Sequence, residues 1–387
     1  MTPGARAAAA IQILDSILAG EPAEARLTRW ARASRFAGSG DRAAVRDLVY
    51  DTLRRRRTRA ALGGGDTGRA LILGACRDQG LDPATLFTGE GHAPAPLSPA
   101  ELAAGRTPDP TEETDLPGWI AERFAADLGD DFPRVAAALR ERAPVWLRVN
   151  LDRATVPVAR SRLGDDGIRT KTHPGSDTAL RVTDGARKVA ASAAFREGLV
   201  ELQDLSPQMA CAALAVGPGT RVLDYCAGGG GKALALAARG ASVMAWDAAP
   251  DRMRDLSVRA ARAGARIAIA PPDGPRGLHD LVLVDVPCSG SGTWRRTPDA
   301  KWRLVPSDLD RLHGVQRAIL DRAAGLVAPG GRLAYMTCSL LQSENEDQVA
   351  GFLARNPAFR LERQQTLTPL TASDGFFFAR MISLIPA

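Results

Sequence analysis

Two cysteines follow apolar strands in settings that a structural thiol does not need. The stretch "DVPCSGSGTWRR" (285–296) comes directly after an apolar run, and "YMTCS" (335–339) ends a second apolar run in the same way. In a parallel sheet, the carboxyl ends of neighbouring strands open into one cleft, where ligands bind. We therefore expect Cys288, Cys338 and the carboxylate of Asp285 to face the same cleft.

Two thiols and an acid suit one chemistry in particular. Carbon 5 of cytosine is a poor nucleophile, but a thiolate that adds to carbon 6 turns the ring into an enamine, whose carbon 5 can attack a methyl sulfonium. An acid beside ring nitrogen 3 stabilises this adduct, and Asp285 is placed to bind that edge. The second thiol then assists when the adduct eliminates. The residues alone leave open which of Cys288 and Cys338 adds to the ring.

The other three cysteines have simpler interpretations. We expect Cys76 and Cys211 to be small core residues, and Cys226, in a glycine-rich loop, to contribute its backbone only. The five cysteines form no CxxC pair and no cluster with the four histidines. This pattern argues against a zinc site and against a disulfide scaffold, so we expect no metal.

A glycine-rich turn joins a strand to a helix in "VLDYCAGGGGKALALAARG" (222–240). Glycine lets the backbone approach a ligand closely, and the start of a helix presents free N–H groups. Asp247 ends the next strand, 19 residues after Gly228, where a carboxylate accepts hydrogen bonds from an adenosine ribose. The alternative for Asp247 is a helix cap. Asp273 follows the third strand and is predicted to bind an adenine amino group, with a simple turn as its alternative.

The glycine loop also permits a competing interpretation. Gly228, Gly230 and Ala233 fit the G-x-G-x-x-A pattern of dinucleotide-binding folds, which makes a nicotinamide dehydrogenase an alternative. A dehydrogenase would leave the two cysteines at strand ends unexplained. A phosphate-binding Walker A loop does not fit, because Ala233 replaces the Ser or Thr and Cys226 replaces the first Gly.

Composition sets the broad class of the protein. The chain has 387 residues, of which 45% are hydrophobic and 24% charged, as in a globular protein of two or three domains. It has no apolar run long enough to span a membrane, and its N-terminal stretch carries Asp15 and continues as a periodic helix, so we expect a cytoplasmic protein. The net charge of +6 favours an anionic partner, above all nucleic acid. A genome rich in Arg codons is the alternative.

The predicted elements divide the chain into three domains and a linker. The first domain shows helical periodicity, and the linker is rich in Pro and Gly. The next domain contains both helices and strands. After it, strands and helices alternate regularly, as they do in a parallel sheet with crossover helices. The predicted fold class is α/β: a doubly wound, Rossmann-like domain preceded by an all-α domain and a small α+β domain. The predicted bounds are 1–87 (all-α), 88–112 (linker), 113–205 (α+β) and 206–387 (Rossmann-like).

These motifs resemble a known family. In order, "DYCAGGGGKA", "WDAAPDRM", "DVPCSGSGTWRRTPDAKW" and "MTCSLLQSENEDQV" resemble the motifs of RNA cytosine-5 methyltransferases, and most closely those of the bacterial RsmB/Sun-type enzymes of small-subunit ribosomal RNA. The resemblance covers roughly residues 195–387. A weaker similarity links "GDRAAVRDLVYDTLRRRR" to the NusB-like RNA-binding domain of this branch, and residues of about 112–205 stand where the family has a small RNA-contacting domain.

The resemblance implies a cofactor, a partner and residue roles. It implies S-adenosylmethionine as cofactor, ribosomal RNA as partner, Cys338 as the nucleophile and Cys288 as the residue that assists product release. The residues implied to bind the cofactor are Cys226, Ala227, Gly228, Gly229, Gly230, Gly231, Lys232, Asp247, Asp273 and Asp285. We expect a monomer that methylates carbon 5 of a cytosine, with Trp294, Arg295, Arg296 and Lys301 lining the approach of the base.

Departures from the family pattern keep alternatives open. Gly228 and Gly229 replace the family's usual Ala-Pro pair, Ala233 replaces its Thr, and Asp273 matches only loosely. The alternatives are an RNA-binding ribosome assembly factor with a vestigial site, and a DNA cytosine-5 methyltransferase, which would use Cys288 as its nucleophile. The "SENE" tetrapeptide (343–346) is predicted to cap the helix that follows Cys338.

Overall fold

The computed structural model describes residues 1–386; Ala387, the last residue of the predicted Rossmann-like domain, lies outside the described residues. The chain forms two compact units. The helical unit contains Met1–Arg142 together with Thr293–Val305, and the sheet unit contains Ala143–Gly292 and the chain from Pro306 onward. Within residues 1–386, no helix is both long and apolar enough to cross a lipid bilayer.

The helical unit begins with eight α-helices. They are α1 (Pro3–Leu18), α2 (Ala23–Ala33), α3 (Ser39–Arg54), α4 (Arg56–Gly63), α5 (Gly68–Asp78), α6 (Pro99–Ala103), α7 (Gly118–Leu128) and α8 (Phe132–Arg140). The segment 88–112, predicted as a linker, contains α6, which starts at a capping box formed by Ser98 and Glu101. Glu101 also pairs with Arg69 on α5 at 2.5 Å.

Apolar residues at helical spacing form the core of this unit. Within α3, Val45 and Val49 are fully buried and Leu53 is 1% exposed. Asp41 lies inside the first turn of α3 and binds the N-terminal amine at 3.1 Å. Each such buried aliphatic side chain stabilises the fold by about 1.5–3 kcal/mol.

The run of arginines at the end of α3, Arg54 to Arg57, makes contacts within the helical unit. Arg54 is 7% exposed, Arg55 pairs with Glu141 at 2.6 Å, and Arg56 pairs with Asp66 at 2.5 Å. Arg57 donates to two backbone carbonyls. The run therefore holds neighbouring segments of the helical unit together.

The sheet unit starts with a small antiparallel sheet. Its elements are β1 (Trp146–Val149), α9 (Val156–Asp165), β2 (Arg169–Thr172), β3 (Ala179–Asp184), α10 (Ala193–Arg196) and β4 (Val200–Leu202). The strand order is β2-β3-β1-β4. Leu147, Leu180 and Leu163 are fully buried between this sheet and α9.

A seven-stranded sheet follows. Its elements are α11 (Leu205–Ala213), β5 (Arg221–Asp224), α12 (Gly231–Ala237), β6 (Ser242–Ala245), α13 (Leu256–Ala263), β7 (Ile267–Ile269), β8 (His279–Asp285), α14 (Ala300–Arg303), α15 (Pro306–Ala324), β9 (Val327–Thr337), α16 (Glu346–Arg355), β10 (Phe359–Leu367) and β11 (Phe376–Ser383). Helix α14 lies in the segment that belongs to the helical unit.

The sheet order locates the ligand cleft. The strand order is β10-β11-β9-β8-β5-β6-β7. The five strands from β9 to β7 in this order are parallel. Strand β11 pairs antiparallel with β9, and β10 pairs antiparallel with β11. The chain runs outward from β5 to β7 and then returns to the other side of β5 at β8, which makes β5 and β8 the switch point at which such folds bind ligands. The predicted α/β fold class is confirmed.

Candidate active site

The two strand-end cysteines lie side by side. Strand β8 ends just before Cys288 and strand β9 just before Cys338, and these strands are parallel neighbours. The two sulfur atoms are 3.4 Å apart. The two thiols lie together as the strand-end positions predict, because parallel pairing brings the two strand ends to the same edge.

The surroundings distinguish the two thiols. The hydrogen bond with Cys288 holds the pKa of the Cys338 thiol below its ordinary value, although burial opposes this effect, and the charge of Lys232 also lowers the pKa. The same hydrogen bond and burial raise the pKa of Cys288, and the charge of Glu344 raises it further. The thiolate is thus favoured on Cys338, with the proton kept on Cys288.

A buried glutamate ties the two cysteine loops together. Glu344 is fully buried and accepts hydrogen bonds from the backbone N–H and hydroxyl of Ser289, at 2.8 and 2.5 Å, and from the hydroxyl of Ser339 at 2.6 Å. Each serine directly follows one of the cysteines. Gln316 on α15 also donates to Glu344, at 2.9 Å.

The role of this glutamate could not be seen in the local sequence. The predicted capping box at 343–346 is wrong, because α16 begins after Asn345 without a side-chain cap, and the buried hydroxyl of Ser343 has no partner among residues 1–386. The available signal was the serine that follows each of the two cysteines, in "PCS" and "TCS".

An ion pair crosses the switch point next to the thiols. Lys232, in the first turn of α12, donates to Asp285, at the end of β8, at 2.5 Å. Burial disfavours the charged form of Lys232, but the nearby Asp285 carboxylate outweighs this effect and raises the pKa of the ammonium group. Lys232 therefore keeps a fixed positive charge beside Asp285 and near Cys338.

A second carboxyl group near Lys232, that of Asp224, differs from Asp285 in its burial and its pKa. Asp224, at the end of β5, is 1% exposed, and its side-chain oxygens have no hydrogen-bond partner among residues 1–386. Burial raises the pKa of Asp224 to about 7. Asp285, and not Asp224, is the carboxylate that accepts a hydrogen bond from the Lys232 ammonium.

Hydrogen bonds join the glycine turn to the residue that follows the next strand, Asp247. Gly228 donates its backbone N–H to Asp247 at 2.9 Å, and Gly228 and Gly230 both have positive φ, at 48° and 78°. Asp247 is 4% exposed and also accepts from the N–H of Ala249 at 2.9 Å. This second bond closes a local turn and is not the helix cap that was the alternative for Asp247, because the short 3-10 helix that follows is capped at Ala249 without a side-chain hydrogen bond. The carboxylate both shapes the turn and supports the glycine loop.

The remaining residues that were predicted to bind the cofactor have other contacts in the structure. Cys226 is half-buried with its pKa raised by burial, and Ala227 donates its N–H to Trp246. Gly229 accepts from Arg259 through its carbonyl, and Gly231 begins α12. Asp273 lies on an exposed turn after β7, where it pairs with Arg276 at 2.7 Å.

The expectation that Trp294, Arg295, Arg296 and Lys301 line the approach of a base is wrong for Trp294 and Lys301, and Arg295 is also only 6% exposed. Trp294 is 1% exposed and stacks on Phe124 of α7, with ring centroids 5.9 Å apart. Lys301 is 2% exposed and donates to the backbone carbonyls of Arg54 and Asp115. Both are core residues of the helical unit.

Comparison with known sequences gives two family matches. Residues 211–386 match the model of the 16S rRNA methyltransferase RsmB/F family, and residues 116–189 match that of the RsmF/B-like ferredoxin-like domain. The chain is 34% identical over 283 residues to the Ribosomal RNA small subunit methyltransferase B of Klebsiella pneumoniae, and 35% identical to that of Cronobacter sakazakii. Each match covers 69% of this chain, but 65% and 66% of the relatives' own lengths, slightly less than two thirds.

Solved structures show the same fold. The crystal structure of PH0851 has a TM-score of 0.75 at 23% identity and covers 98% of this chain and 99% of its own. A methyltransferase homolog from Pyrococcus horikoshii has a TM-score of 0.62 at 24% identity and covers 71% of this chain and 100% of its own. The family model and the curated relatives thus show an RsmB/F-type domain over residues 211–386, and the solved structures share its fold.

Proposed function

We propose that the protein transfers a methyl group from S-adenosylmethionine to carbon 5 of a cytosine in small-subunit ribosomal RNA. The observation that carries this proposal is the 3.4 Å separation of the Cys288 and Cys338 sulfurs at the switch point of a methyltransferase fold. A dehydrogenase has no use for such a pair, and an assembly factor with a vestigial site would not need it.

The residues around the glycine turn fit the proposed cofactor. Asp247 ends the second strand and has lone pairs left for ribose hydroxyls after its two backbone hydrogen bonds. A side-chain atom built on Gly228 would meet nothing closer than an Arg252 nitrogen at 3.6 Å, so the turn leaves space beside it. We propose that residues 226–232, Asp247, Asp273 and Asp285 hold the cofactor, which supplies an electrophilic methyl group when bound.

The two thiols have different roles in the proposed reaction. The Cys338 thiolate adds to carbon 6 of the cytosine, forming a sulfur–carbon bond and moving the electron pair of the carbon 5–carbon 6 double bond toward carbon 5. Asp285, held by Lys232, binds the ring-nitrogen-3 edge and stabilises the adduct. Once carbon 5 carries the methyl group, it loses its proton to water. The electron pair of that carbon–hydrogen bond restores the carbon 5–carbon 6 double bond, and the sulfur–carbon bond breaks to give back the Cys338 thiolate. Cys288, the neighbouring sulfur, assists this release.

Two cysteine variants test the assignment. Cys338→Ala is expected to abolish transfer of radiolabelled methyl from S-adenosylmethionine to a small-subunit rRNA transcript or an assembling subunit, because the nucleophile is gone. Cys288→Ala is expected to accumulate a protein–RNA adduct that survives denaturing electrophoresis. Near-normal turnover by Cys338→Ala, or an adduct with duplex DNA through Cys288, would contradict the proposal. If the wild-type protein binds the RNA but no cofactor, the assembly-factor alternative is correct.

A further inference from the structure

Two carbonyl groups of the glycine turn between β5 and α12 are held by side chains from outside the turn. Gln203 donates its side-chain amide to the carbonyl of Gly231 at 3.2 Å, and Arg259 on α13 donates to the carbonyl of Gly229. Because a peptide group is planar, a fixed carbonyl also fixes the N–H group of the next residue. These two donors therefore set the orientation of two peptide groups in the segment that we propose holds the cofactor.

Gln203, which directly follows β4, is oriented by a buried arginine of the small antiparallel sheet. Arg148, on the neighbouring strand β1, is 5% exposed and donates through Nε to the side-chain oxygen of Gln203 at 2.7 Å. Burial lowers the pKa of Arg148 to about 10, so the group stays charged near neutral pH. Since a guanidinium can only donate hydrogen bonds, it must face the amide oxygen of Gln203, and the amide nitrogen is left to face Gly231.

Arg259 is held by a buried glutamate of the same small sheet. Glu201 on β4 lies opposite Arg148 in the pairing of β1 with β4, and its side chain is 8% exposed. Arg259 pairs with Glu201 at 3.5 Å. Residues that lie opposite each other in an antiparallel pair point to the same face of the sheet. One face of the small sheet therefore carries both of the charged groups that hold the two donors to the turn.

A second arginine of α13 binds the same glutamate but not the turn. Arg262 pairs with Glu201 at 2.7 Å, and its guanidinium carbon lies 4.0 Å from the centre of the Phe195 ring. Its side-chain hydrogen bond goes to Glu201 rather than to the glycine turn. The shorter of the two ion pairs thus belongs to the arginine that does not reach the turn, which separates the ion pairing of Glu201 from the contact with Gly229.

We propose that the small antiparallel sheet positions the glycine turn for S-adenosylmethionine, through Gln203 at Gly231 and through Arg259 at Gly229. Both are positioning residues, because they act through the backbone of the turn. The proposal rests on the proposed function in that this turn holds the cofactor. It adds the small sheet, which lies outside the methyltransferase fold, to the cofactor site.

The test measures S-adenosylmethionine binding to the full chain by isothermal titration calorimetry. In Arg259→Met the carbonyl of Gly229 loses its donor, so we expect the dissociation constant to rise about tenfold. The matched control is Arg262→Met. In this variant Glu201 loses its closer partner, but the turn keeps both donors, so cofactor affinity should equal that of the wild type.

A second variant tests the contact with Gly231 and keeps a partner for Arg148. Gln203→Glu leaves an oxygen for the Arg148 guanidinium but replaces the donor to Gly231 by a second oxygen. We expect the KM for S-adenosylmethionine, measured with a small-subunit rRNA transcript or an assembling subunit, to rise about tenfold, and kcat to fall less than about threefold. A raised KM with little change in kcat reports lost cofactor binding, whereas partial unfolding would lower kcat at an unchanged KM.

The outcomes separate this inference from the proposed function. Wild-type cofactor affinity in both Arg259→Met and Gln203→Glu would overturn the role of the small sheet while leaving methyl transfer by Cys338 intact. An equal loss of affinity in Arg262→Met would also overturn it, because the ion pairs of Glu201 alone would then explain the effect. If the wild-type chain binds no S-adenosylmethionine, the proposed function itself fails, and this inference fails with it.

Discussion

At the scale of single residues, Glu344 joins the two loops that carry the thiols. Its two carboxylate oxygens accept hydrogen bonds from both serines that follow the cysteines, Ser289 and Ser339. A buried carboxylate that holds two loops in this way positions the groups that react without touching them.

Replacing Glu344 tests this role. In Glu344→Gln the amide can no longer accept all of these hydrogen bonds, so we expect the turnover rate to fall about 10- to 100-fold, as is typical of outer-shell partners. Because the charge of Glu344 raises the pKa of both thiols, its removal should also shift the acidic limb of the pH–rate profile to lower pH.

The neighbouring Ser343 supplies the matched control for this change. Its hydroxyl is buried but has no partner among residues 1–386, so Ser343→Ala should keep both the rate and the pH profile of the wild type. A Glu344→Gln variant whose rate and pH profile match those of the wild type would show that the glutamate only fills space.

At the scale of elements, the backbone shape of the proposed cofactor-binding turn between β5 and α12 depends on two glycines. A side-chain carbon on Gly230 would lie 2.0 Å from Leu256 Cδ1, whereas one on Gly228 would meet only Arg252 at 3.6 Å. Both glycines have positive φ, a conformation that costs other residues about 1–2 kcal/mol. Only Gly230 adds a steric overlap to this cost.

This difference predicts two unequal alanine variants. Gly230→Ala should weaken S-adenosylmethionine binding about tenfold or more, because the overlap with Leu256 forces the turn to move. Gly228→Ala should change the dissociation constant less than about threefold, since the turn can keep its shape. Isothermal titration calorimetry measures both; equal dissociation constants for the two variants would contradict this account of the turn.

The elements that sequence predicts well are those with local signals. The strands "RVLDY", "SVMAW" and "LVLVD" are short apolar runs beside glycine and proline, and the structure has β5, β6 and β8 there. Strands β2, "RTKT", and β10, "FRLERQQTL", lack such runs because they lie at sheet edges, where β2 is largely exposed and β10 is only partly buried. Their pairing depends on neighbours that the local pattern does not contain.

The site was predictable in outline for the same reason. Strand-end position places Cys288, Cys338 and Asp285 together, because parallel strands share an edge. The function of Glu344 depends on Ser289, 55 residues away in the chain, and the burial of Lys301 depends on Asp115, 186 residues away. Contacts of such long range leave no periodic signal in the sequence.

At the scale of the whole molecule, the chain leaves the sheet unit directly after the Cys288 loop and enters the helical unit. The segment Thr293–Val305 belongs to that unit, where the Lys301 ammonium donates to the carbonyl of Arg54 at 3.0 Å and to that of Asp115 at 2.5 Å. Trp302 donates to the carbonyl of Leu53 at 2.8 Å. Buried hydrogen bonds therefore fix this segment in the helical core.

Lys301→Met should destabilise the helical unit. It leaves two buried carbonyls without their donor, at a cost of about 1–3 kcal/mol for each. Burial lowers the pKa of Lys301 to about 7, so above that pH the folded chain binds fewer protons than the unfolded chain does, up to the ordinary lysine pKa. Stability of the wild type should consequently rise with pH in this window, and the Met variant should lack that rise.

Chemical unfolding at pH 7 and pH 9 measures both effects. Arg303→Gln is the control, because the pair of Arg303 with Asp299 is nearly half exposed on the arginine side and such pairs contribute about 1 kcal/mol or less. A Lys301→Met variant as stable as the wild type would show that this lysine does not hold the segment.

The central claim is that Cys338 forms the covalent bond to the cytosine. Ribosomal RNA transcribed with 5-fluorocytidine carries fluorine in place of hydrogen at carbon 5 of each cytosine. Carbon 5 then has no proton to lose, so the covalent adduct should be trapped. Trypsin separates the two thiols, because Cys338 lies in the peptide 333–355 and Cys288 in the peptide 277–295. We expect mass spectrometry to find the modified nucleotide on peptide 333–355; a nucleotide on peptide 277–295, or on neither, would contradict the mechanism.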